Sequence, residues 1–394
     1  MTQTTRPRLP THLLVALALI GVLLLASCFS RQLSGFGWDF EAYFKAAGRW
    51  LSGTTPYFYE KNFSYKYSPV MVLPFTFFHL FSYELARWIY AALHAVVALS
   101  LPYLLYSILE KDTRLHLRRK PETFATGLLV AFLASFRFID GEFHVSQIGL
   151  WIIWTLLVGV FVLQKMGHQK WGRALGLALM SLASLVKIHS SIFFLSFVKW
   201  RSKKTWAWIG GVFVLIAMLP DPRMWLDWAE QIRRTTYDLP INETSINLQG
   251  FYPFGVVRLG LNQFSPEPLL LAVPFFIACF FFTSRYSLRD IRLSPLPVLL
   301  SISSWLLLGF MASPLPWQYT YSILWVLIPL SWVSSSSSER RALLVIALFL
   351  GLSPQGIVGK AASMWIESHH SVFFAILLFW MLLLRQAHRW RLRN

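Results

Sequence analysis

The chain has 394 residues, 56% of them hydrophobic and only 14% charged, with 33 Phe and 18 Trp. Its apolar runs are too long for the buried helices of a soluble domain and exclude one. The formal charge of +18 would suit nucleic acid, but it alternates along the chain instead of forming one basic surface, which excludes that partner.

Loops assigned alternately to two sides divide the charge sharply. The inner segments (the N-terminus, 110–121, 165–173, 199–204, 285–292, 339–341 and 385–394) hold 23 of the 36 Lys and Arg, and only 5 of the 18 acidic residues when Glu122 is included. The whole excess therefore lies on one face. This positive-inside signature predicts a multi-pass protein of the inner or plasma membrane with both termini cytoplasmic. Backbone in lipid must satisfy its own hydrogen bonds, so the expected fold is an all-α polytopic membrane protein, one transmembrane domain over 1–394. Cys28 and Cys279 both fall in apolar spans, so neither a disulfide framework nor a cysteine metal site is expected. Leu25-Ala26-Ser27-Cys28 resembles a lipoprotein cleavage box, but cleavage would detach a span, and an uncleaved anchor is preferred.

A first span over 13–29 leads to an outer loop, 30–67. Within it, Phe40, Tyr43, Phe44, Ala47, Trp50 and Leu51 recur at helical spacing, predicting an interfacial helix over 39–51 that stops at Gly53 and Pro56. The apolar stretch 68–81 is short and carries Pro69 and Pro74; it reads as re-entrant. Spans over 84–109, 123–136 and 145–163 follow, with an outer turn at 137–147 containing Asp140, Glu142 and His144. One helix through 172–204 would carry Lys199, Arg201, Lys203 and Lys204 outside, so a hairpin broken at 187–190 is predicted. Lys187 and His189 then sit at its tip, where a Lys is a functional candidate or a residue snorkelling to headgroups. A span over 205–219 reaches the longest outer loop, 220–268, with a helix-like 224–234 and a polar run at 242–250. Spans near 269–283, 296–311, 320–333, 342–352 and 372–384 complete about twelve crossings, with 334–338 a serine linker. No convincing internal repeat is present, which weighs against an inverted-repeat transporter.

Motifs of soluble enzymes are missing: no P-loop, no Rossmann glycine fingerprint, no His-Glu-x-x-His and no Gly-x-Ser-x-Gly. That removes nucleotide hydrolysis and zinc proteolysis and leaves sugar transfer from a lipid phosphate open. Asp39 and Glu41 are too few oxygens for a cation site, so neither metal nor cofactor is expected. From residues alone, Asp39 reads as a helix cap ahead of a base, Glu41 as a solvated charge, Arg258 as an interface anchor, and the Tyr and Trp near span ends as belt residues.

The run Trp38-Asp39-Phe40-Glu41-Ala42-Tyr43, then Ala46-Ala47, Gly53, Pro56-Tyr57 and Tyr65-Lys66-Tyr67-Ser68-Pro69, resembles the first-loop signature of glycosyltransferase family 87. These are GT-C-type polyprenol-phosphate-sugar transferases that include bacterial α-mannosyltransferases. Gln147, then Gly176 with Lys187, Asn247-x-Gln249 with Arg258, and Ser313-Pro314 with Trp317-Gln318-Tyr319 resemble later landmarks in the family's order. The chain departs from the last of these in carrying Tyr319 and Thr320 where histidines are common. The resemblance implies a GT-C-like bundle of about ten to twelve transmembrane helices. It also implies inverting transfer of a hexose, mannose first, from a polyprenyl-phosphate donor to a glycan or glycolipid acceptor on the outer face, among membrane lipids. Asp39 would be the general base, which suits a partly desolvated carboxylate near cations. The leaving lipid phosphate needs positive charge, for which Lys187, His189 and Arg258 are candidates. Glu41, Tyr43, Tyr57, Tyr67, Gln147, Gln249, Trp317 and Gln318 are candidate substrate contacts. The competing readings are a flippase of lipid-linked saccharides, which would need ionisable residues through the midplane, and an oligosaccharide ligase using a lipid-diphosphate donor.

Overall fold

A computed structural model describes residues 10–33, 37–58, 65–110, 112, 115, 117, 120–197, 203–238, 249, 256, 277–285, 295–313 and 318–392. Regular structure among these residues is helical throughout. In chain order the helices are α1 (Thr11–Leu33), α2 (Trp38–Leu51), α3 (Pro69–Leu80, an α turn flanked by 3-10 turns), α4 (Tyr83–Leu109), α5 (Pro121–Val145), α6 (Gly149–Met166) and α7 (Lys170–Val186). After a 3-10 helix, Ile188–Phe197, come α8 (Lys203–Ala217), α9 (Arg223–Asp238) and α10 (Pro295–Ala312). A second 3-10 helix, Gln318–Ile323, leads into α11 (Leu324–Ser334), α12 (Ser337–Leu352), α13 (Gln355–Val358), α14 (Lys360–Ser368) and α15 (Ser371–Leu392).

Among the described residues, 6 helices are long and apolar enough to cross a bilayer alone: α1, α4, α5, α6, α10 and α15. The protein is an all-α polytopic membrane protein. Of the other expected crossings, α7, α8, α11 and α12 are shorter helices, and the one at 269–283 is described only from residue 277. The hairpin break falls where charge placed it, since α7 ends at Val186 and Lys187 is extended.

The outer turn expected at 137–147 is corrected. Helix α5 continues to Val145, and the turn shrinks to 146–148. An unpaired charge is costly in lipid and so marks the end of a span, but Arg137, Asp140 and Glu142 each have a partner on another helix. Asp140 takes Ser27 Oγ at 2.7 Å and a bidentate grip from Arg31 of α1. Arg137 binds Ser353 Oγ at 2.7 Å, Glu367 Oε1 of α14 at 3.1 Å, and Gln318 Oε1. The serine tract at 334–338 is likewise more than a linker. Ser336 and Glu339 form a capping box that starts α12, and Arg389 Nη1 binds Glu339 Oε2 at 2.6 Å, locking α15 to the turn.

Helix α10 is the centre of the bundle, with every residue from Leu296 to Met311 buried. Helix α1 lies on the perimeter and presents Leu14, Val15, Leu19, Val22 and Leu23 outward, as a lipid-facing helix should. Helix α5 packs between α1, α11 and α12, and α6 packs along α7. The α6–α7 contact is backbone to backbone: a Cβ on Gly159 would stand 2.9 Å from the Gly176 carbonyl oxygen, the close approach that small residues permit between membrane helices. Alternation of these helices gathers α2, α3, the 146–148 turn, Lys187, α9 and α14 at one end of the bundle.

Arg137 and Glu367 are 12% and 10% exposed, so removing one partner strands a charge in a poorly hydrated place. Glu367→Ala is expected to lower the unfolding free energy by roughly 3 kcal/mol in detergent denaturation. Pairing it with Arg137→Met should restore much of the loss.

Candidate active site

Helix α2 forms as its residues dictate. Asp39 and Glu41 occupy its first turn and Arg49 its last, in line with the helix dipole. Gly53, the predicted stop, takes φ 74 just past the end, where a Cβ would be strained. Phe40, Ala42, Tyr43, Ala46 and Ala47 are buried; Phe40 stacks on Tyr90 of α4 with centroids 4.9 Å apart, and Phe44 on His79 of α3 at 3.9 Å. The helix therefore lies on the end of the bundle, held by aromatic contacts.

Asp39 does not cap this helix. The capping position is Gly37 and no side-chain cap bond is made there. The carboxylate instead turns inward to a polar cluster. Gln147 Nε2 donates to Oδ2, the Tyr67 hydroxyl lies 3.3 Å from Oδ2, and the Tyr43 hydroxyl 3.4 Å from it. Oδ1 accepts no hydrogen bond from any described residue, and the side chain keeps partial exposure.

Gln147 organises the rest. Its oxygen accepts from Lys187 Nζ at 3.0 Å and from the Tyr67 hydroxyl at 2.8 Å. The single Tyr67 proton thus belongs mainly to Gln147, the nearer acceptor. The amide faces the carboxylate with its N–H and the ammonium with its oxygen. Lys187 Nζ also stands 5.3 Å from the centre of the Tyr67 ring, within cation–π range. Tyr319 lies near enough to Gln147 and Asp39 to share the electrostatics of the cluster.

The turn that presents Gln147 is built from buried groups. Ser146 takes φ 60, a left-handed conformation that costs a non-glycine residue about 1 kcal/mol. The Tyr90 hydroxyl lies 3.2 Å from the carbonyl oxygen of Ser146 and 3.1 Å from that of Gln147. Glu142, fully buried, accepts the Leu150 backbone N–H at 2.6 Å at the start of α6 and also Ser322 Oγ; His94 Nε2 stands 3.8 Å away. A carboxylate at a helix N-terminus is favoured by the free N–H groups there, so Glu142 staples α5 to α6 and fixes the turn between them.

Desolvation dominates the electrostatics of Asp39. Burial pushes its carboxyl up to about 6, against the pull of Lys187 and Lys66 and of the Tyr67 and Tyr43 hydrogen bonds. A carboxylate so tuned is largely ionised at neutral pH and basic enough to take a proton from a hydroxyl as that hydroxyl reacts.

Five sequence candidates thus meet in one cluster: Asp39, Tyr43, Tyr67, Gln147 and Lys187. Tyr57 stands one step back, its hydroxyl donating to the Tyr67 carbonyl at 2.9 Å. Glu41 is paired with Lys45 at 3.1 Å, and Gln318 serves Arg137. Gln249 is a fully buried strut, its amide bonded to the Glu367 carbonyl at 3.0 Å and the Phe373 N–H at 3.3 Å. Arg258, Trp317 and the His189 side chain lie outside the described residues. Sequence reasoning missed the supporting role of Glu142, although an acid within an apolar stretch is a signal in itself. It also passed over Tyr319 and Lys66 as contributors to the cluster.

A profile of glycosyltransferase family 87 matches residues 65–314, more than half of the chain. The chain belongs to glycosyltransferase family 87. No curated protein and no solved structure matches it. This membrane glycosyltransferase draws Tyr67, Gln147 and Lys187 of the cluster from the matched stretch, while Asp39 precedes it. The hydrogen bonds from Tyr67 and Gln147 tie that earlier carboxylate to the family region. A glycosyltransferase in a membrane takes a sugar from a donor and places it on a glycan acceptor, and the cluster holds an anion and a cation bridged by one amide.

Because the Asp39 carboxyl is raised from 3.8 to about 6, folding favours its protonated form. Its contribution to stability is full below the unfolded value and is lost as pH rises through about 6. Asp39→Asn should therefore gain on the wild type as pH is raised from about 4 to about 8, by on the order of 2 kcal/mol. Thermal unfolding of both proteins across that range checks the sign.

Proposed function

We propose that this enzyme transfers a hexose, mannose first among candidates, from a polyprenyl phosphate to a hydroxyl of a glycan or glycolipid acceptor, with inversion, at the non-cytoplasmic face of the plasma membrane. Asp39 is the general base. The observation that carries the reading is the asymmetry of its carboxylate: Oδ2 accepts the Gln147 amide N–H and has the Tyr67 and Tyr43 hydroxyls at 3.3 and 3.4 Å, while Oδ1 is left without a bond from any described residue. The tied oxygen fixes the group and the other can receive a proton.

In the step, the acceptor hydroxyl gives its proton to Asp39 Oδ1 as its oxygen bonds to the anomeric carbon. The bond between that carbon and the phosphate oxygen breaks, and its electron pair leaves with the phosphate. Lys187, held 3.0 Å from Gln147 Oε1, supplies positive charge for that leaving group, with His189 and Arg258 as further candidates by sequence position. The ring of Tyr43 or Tyr67 would pack on a sugar face, and Trp317 would do the same or cover the prenyl chain. The outer-face assignment rests on the charge pattern of the sequence, which puts the basic segments on the cytoplasmic side and the first loop, 30–67, on the other.

The test is turnover by purified protein with labelled polyprenyl-monophosphate hexoses. Asp39→Asn should lower kcat by roughly 10²–10⁴-fold without raising the donor KM, and the wild-type kcat/KM should fall on acidification through about pH 6, following the Asp39 carboxyl. Unchanged turnover in Asp39→Asn removes the proposed base. Turnover with diphosphate donors alone points to a ligase, and translocation in liposomes without a glycosidic product points to a flippase.

A further inference from the structure

The leaving phosphate carries more negative charge than the donor phosphate did, and Lys187 is already committed. Its Nζ is bonded to Gln147 Oε1 at 3.0 Å, and its charge is shared between Glu142 and Asp39. The other cations with described contacts near this end of the bundle are also engaged: Arg31 with Asp140, Arg137 with Glu367, Lys45 with Glu41, and Arg49 with the Thr55 carbonyl. Lys66 differs from all of these. Its ammonium makes no hydrogen bond and no ion pair within 4.0 Å with any described residue, and Asp39 is the one charged group acting on it.

The backbone around Lys66 is nonetheless fixed. Its carbonyl accepts the Trp228 indole N–H from α9 at 3.2 Å, the Tyr57 hydroxyl binds the next carbonyl along at 2.9 Å, and the Tyr65 hydroxyl binds the Ser68 carbonyl at 3.1 Å. An ammonium on a rigid segment, part-buried and unpaired, is an unfavourable arrangement until an anion arrives. Burial accordingly pulls the Lys66 ammonium below its ordinary range, the mark of a cation short of counter-charge.

We infer that Lys66 binds the donor's phosphate beside Asp39, forming with Lys187 a two-ammonium clamp that holds the phosphodiester before transfer and the phosphate monoester after it. This rests on the polyprenyl-phosphate reading above. The charge bookkeeping closes in the same step. As the anomeric C–O bond breaks, the phosphate gains one negative charge, and the proton from the acceptor hydroxyl removes one from Asp39. Lys66, opposed by Asp39 at the start, ends facing the phosphate alone. The carboxylate and the leaving group thus exchange one counter-ion, and no charge is stranded in the site.

The test uses citronellyl phosphate, a short polyprenyl phosphate without sugar, and citronellol, its phosphate-free partner, with the full chain in detergent and binding read by calorimetry or thermal shift. In the wild type the phosphate should bind and the alcohol should not. Lys66→Gln should weaken phosphate binding roughly tenfold, while Lys66→Arg retains most of it. Asp39→Asn removes the competing anion and should tighten binding, and Asp39→Asn/Lys66→Gln, neutral at both positions and so the safer fold, should lose that gain. If Lys66→Gln and the double variant bind citronellyl phosphate as well as their parents, the inference is overturned. A shift of the acid limb of the pH–rate profile in Lys66→Gln, with phosphate binding intact, would show that Lys66 acts on Asp39 alone and overturns it equally. Failure of the wild type to prefer the phosphate over the alcohol overturns the donor class itself, a separate result.

Discussion

The site depends on one amide. Gln147 gives its N–H to Asp39 and its oxygen to Lys187, so a single planar group keeps an anion and a cation close without letting them collapse into a direct pair. Direct contact would neutralise both and remove their use to a substrate. A carboxylate in place of the amide would repel Asp39, and an apolar side chain would leave two charges desolvated with nothing between them. The amide's two ends satisfy opposite partners, and the site is built to hold it still.

That support comes from elements far apart in sequence. Tyr90 of α4 secures the carbonyls of the 146–148 turn, Glu142 of α5 caps α6, and Ser322 reaches Glu142 from the second 3-10 helix. Asp39 itself arrives on α2, which lies across the end of the bundle on an aromatic bed. Helix α9 leans on the first loop as well: Asp227 accepts the Thr55 hydroxyl at 2.7 Å, and Gln231 Nε2 donates to the Phe58 carbonyl at 3.2 Å. The end of the bundle is therefore a layer of interlocked polar contacts laid over an apolar interior.

What could be read from the residues was set by how local the cause is. The α2 stripe, its stop at Gly53 and the break at Lys187 were legible because each follows from periodicity, a glycine, or the sign of flanking charge. The gathering of Asp39, Tyr43, Tyr67 and Lys187 around Gln147 came from resemblance rather than from spacing, since it joins three loops distant in sequence. The length of α5 was misread because Arg137, Asp140 and Glu142 look like loop residues unless their partners Glu367, Arg31 and Ser322 are known. Gln249 shows the same limit: its neighbours make it a strut, and only the fold supplies those neighbours.

Backbone contact between α6 and α7 reaches further than packing. A Cβ on Gly176 would come within 2.6 Å of Leu163 Cγ and 3.0 Å of the Gly159 carbonyl oxygen, so an added methyl there must drive the two rods apart. Helix α7 ends at Val186, about 15 Å beyond Gly176 along its axis, and carries Lys187 on its tip. The helix is thus a lever whose fulcrum is a missing side chain. A single carbon introduced between the two helices would swing the ammonium off its amide without touching any residue of the cluster around Gln147.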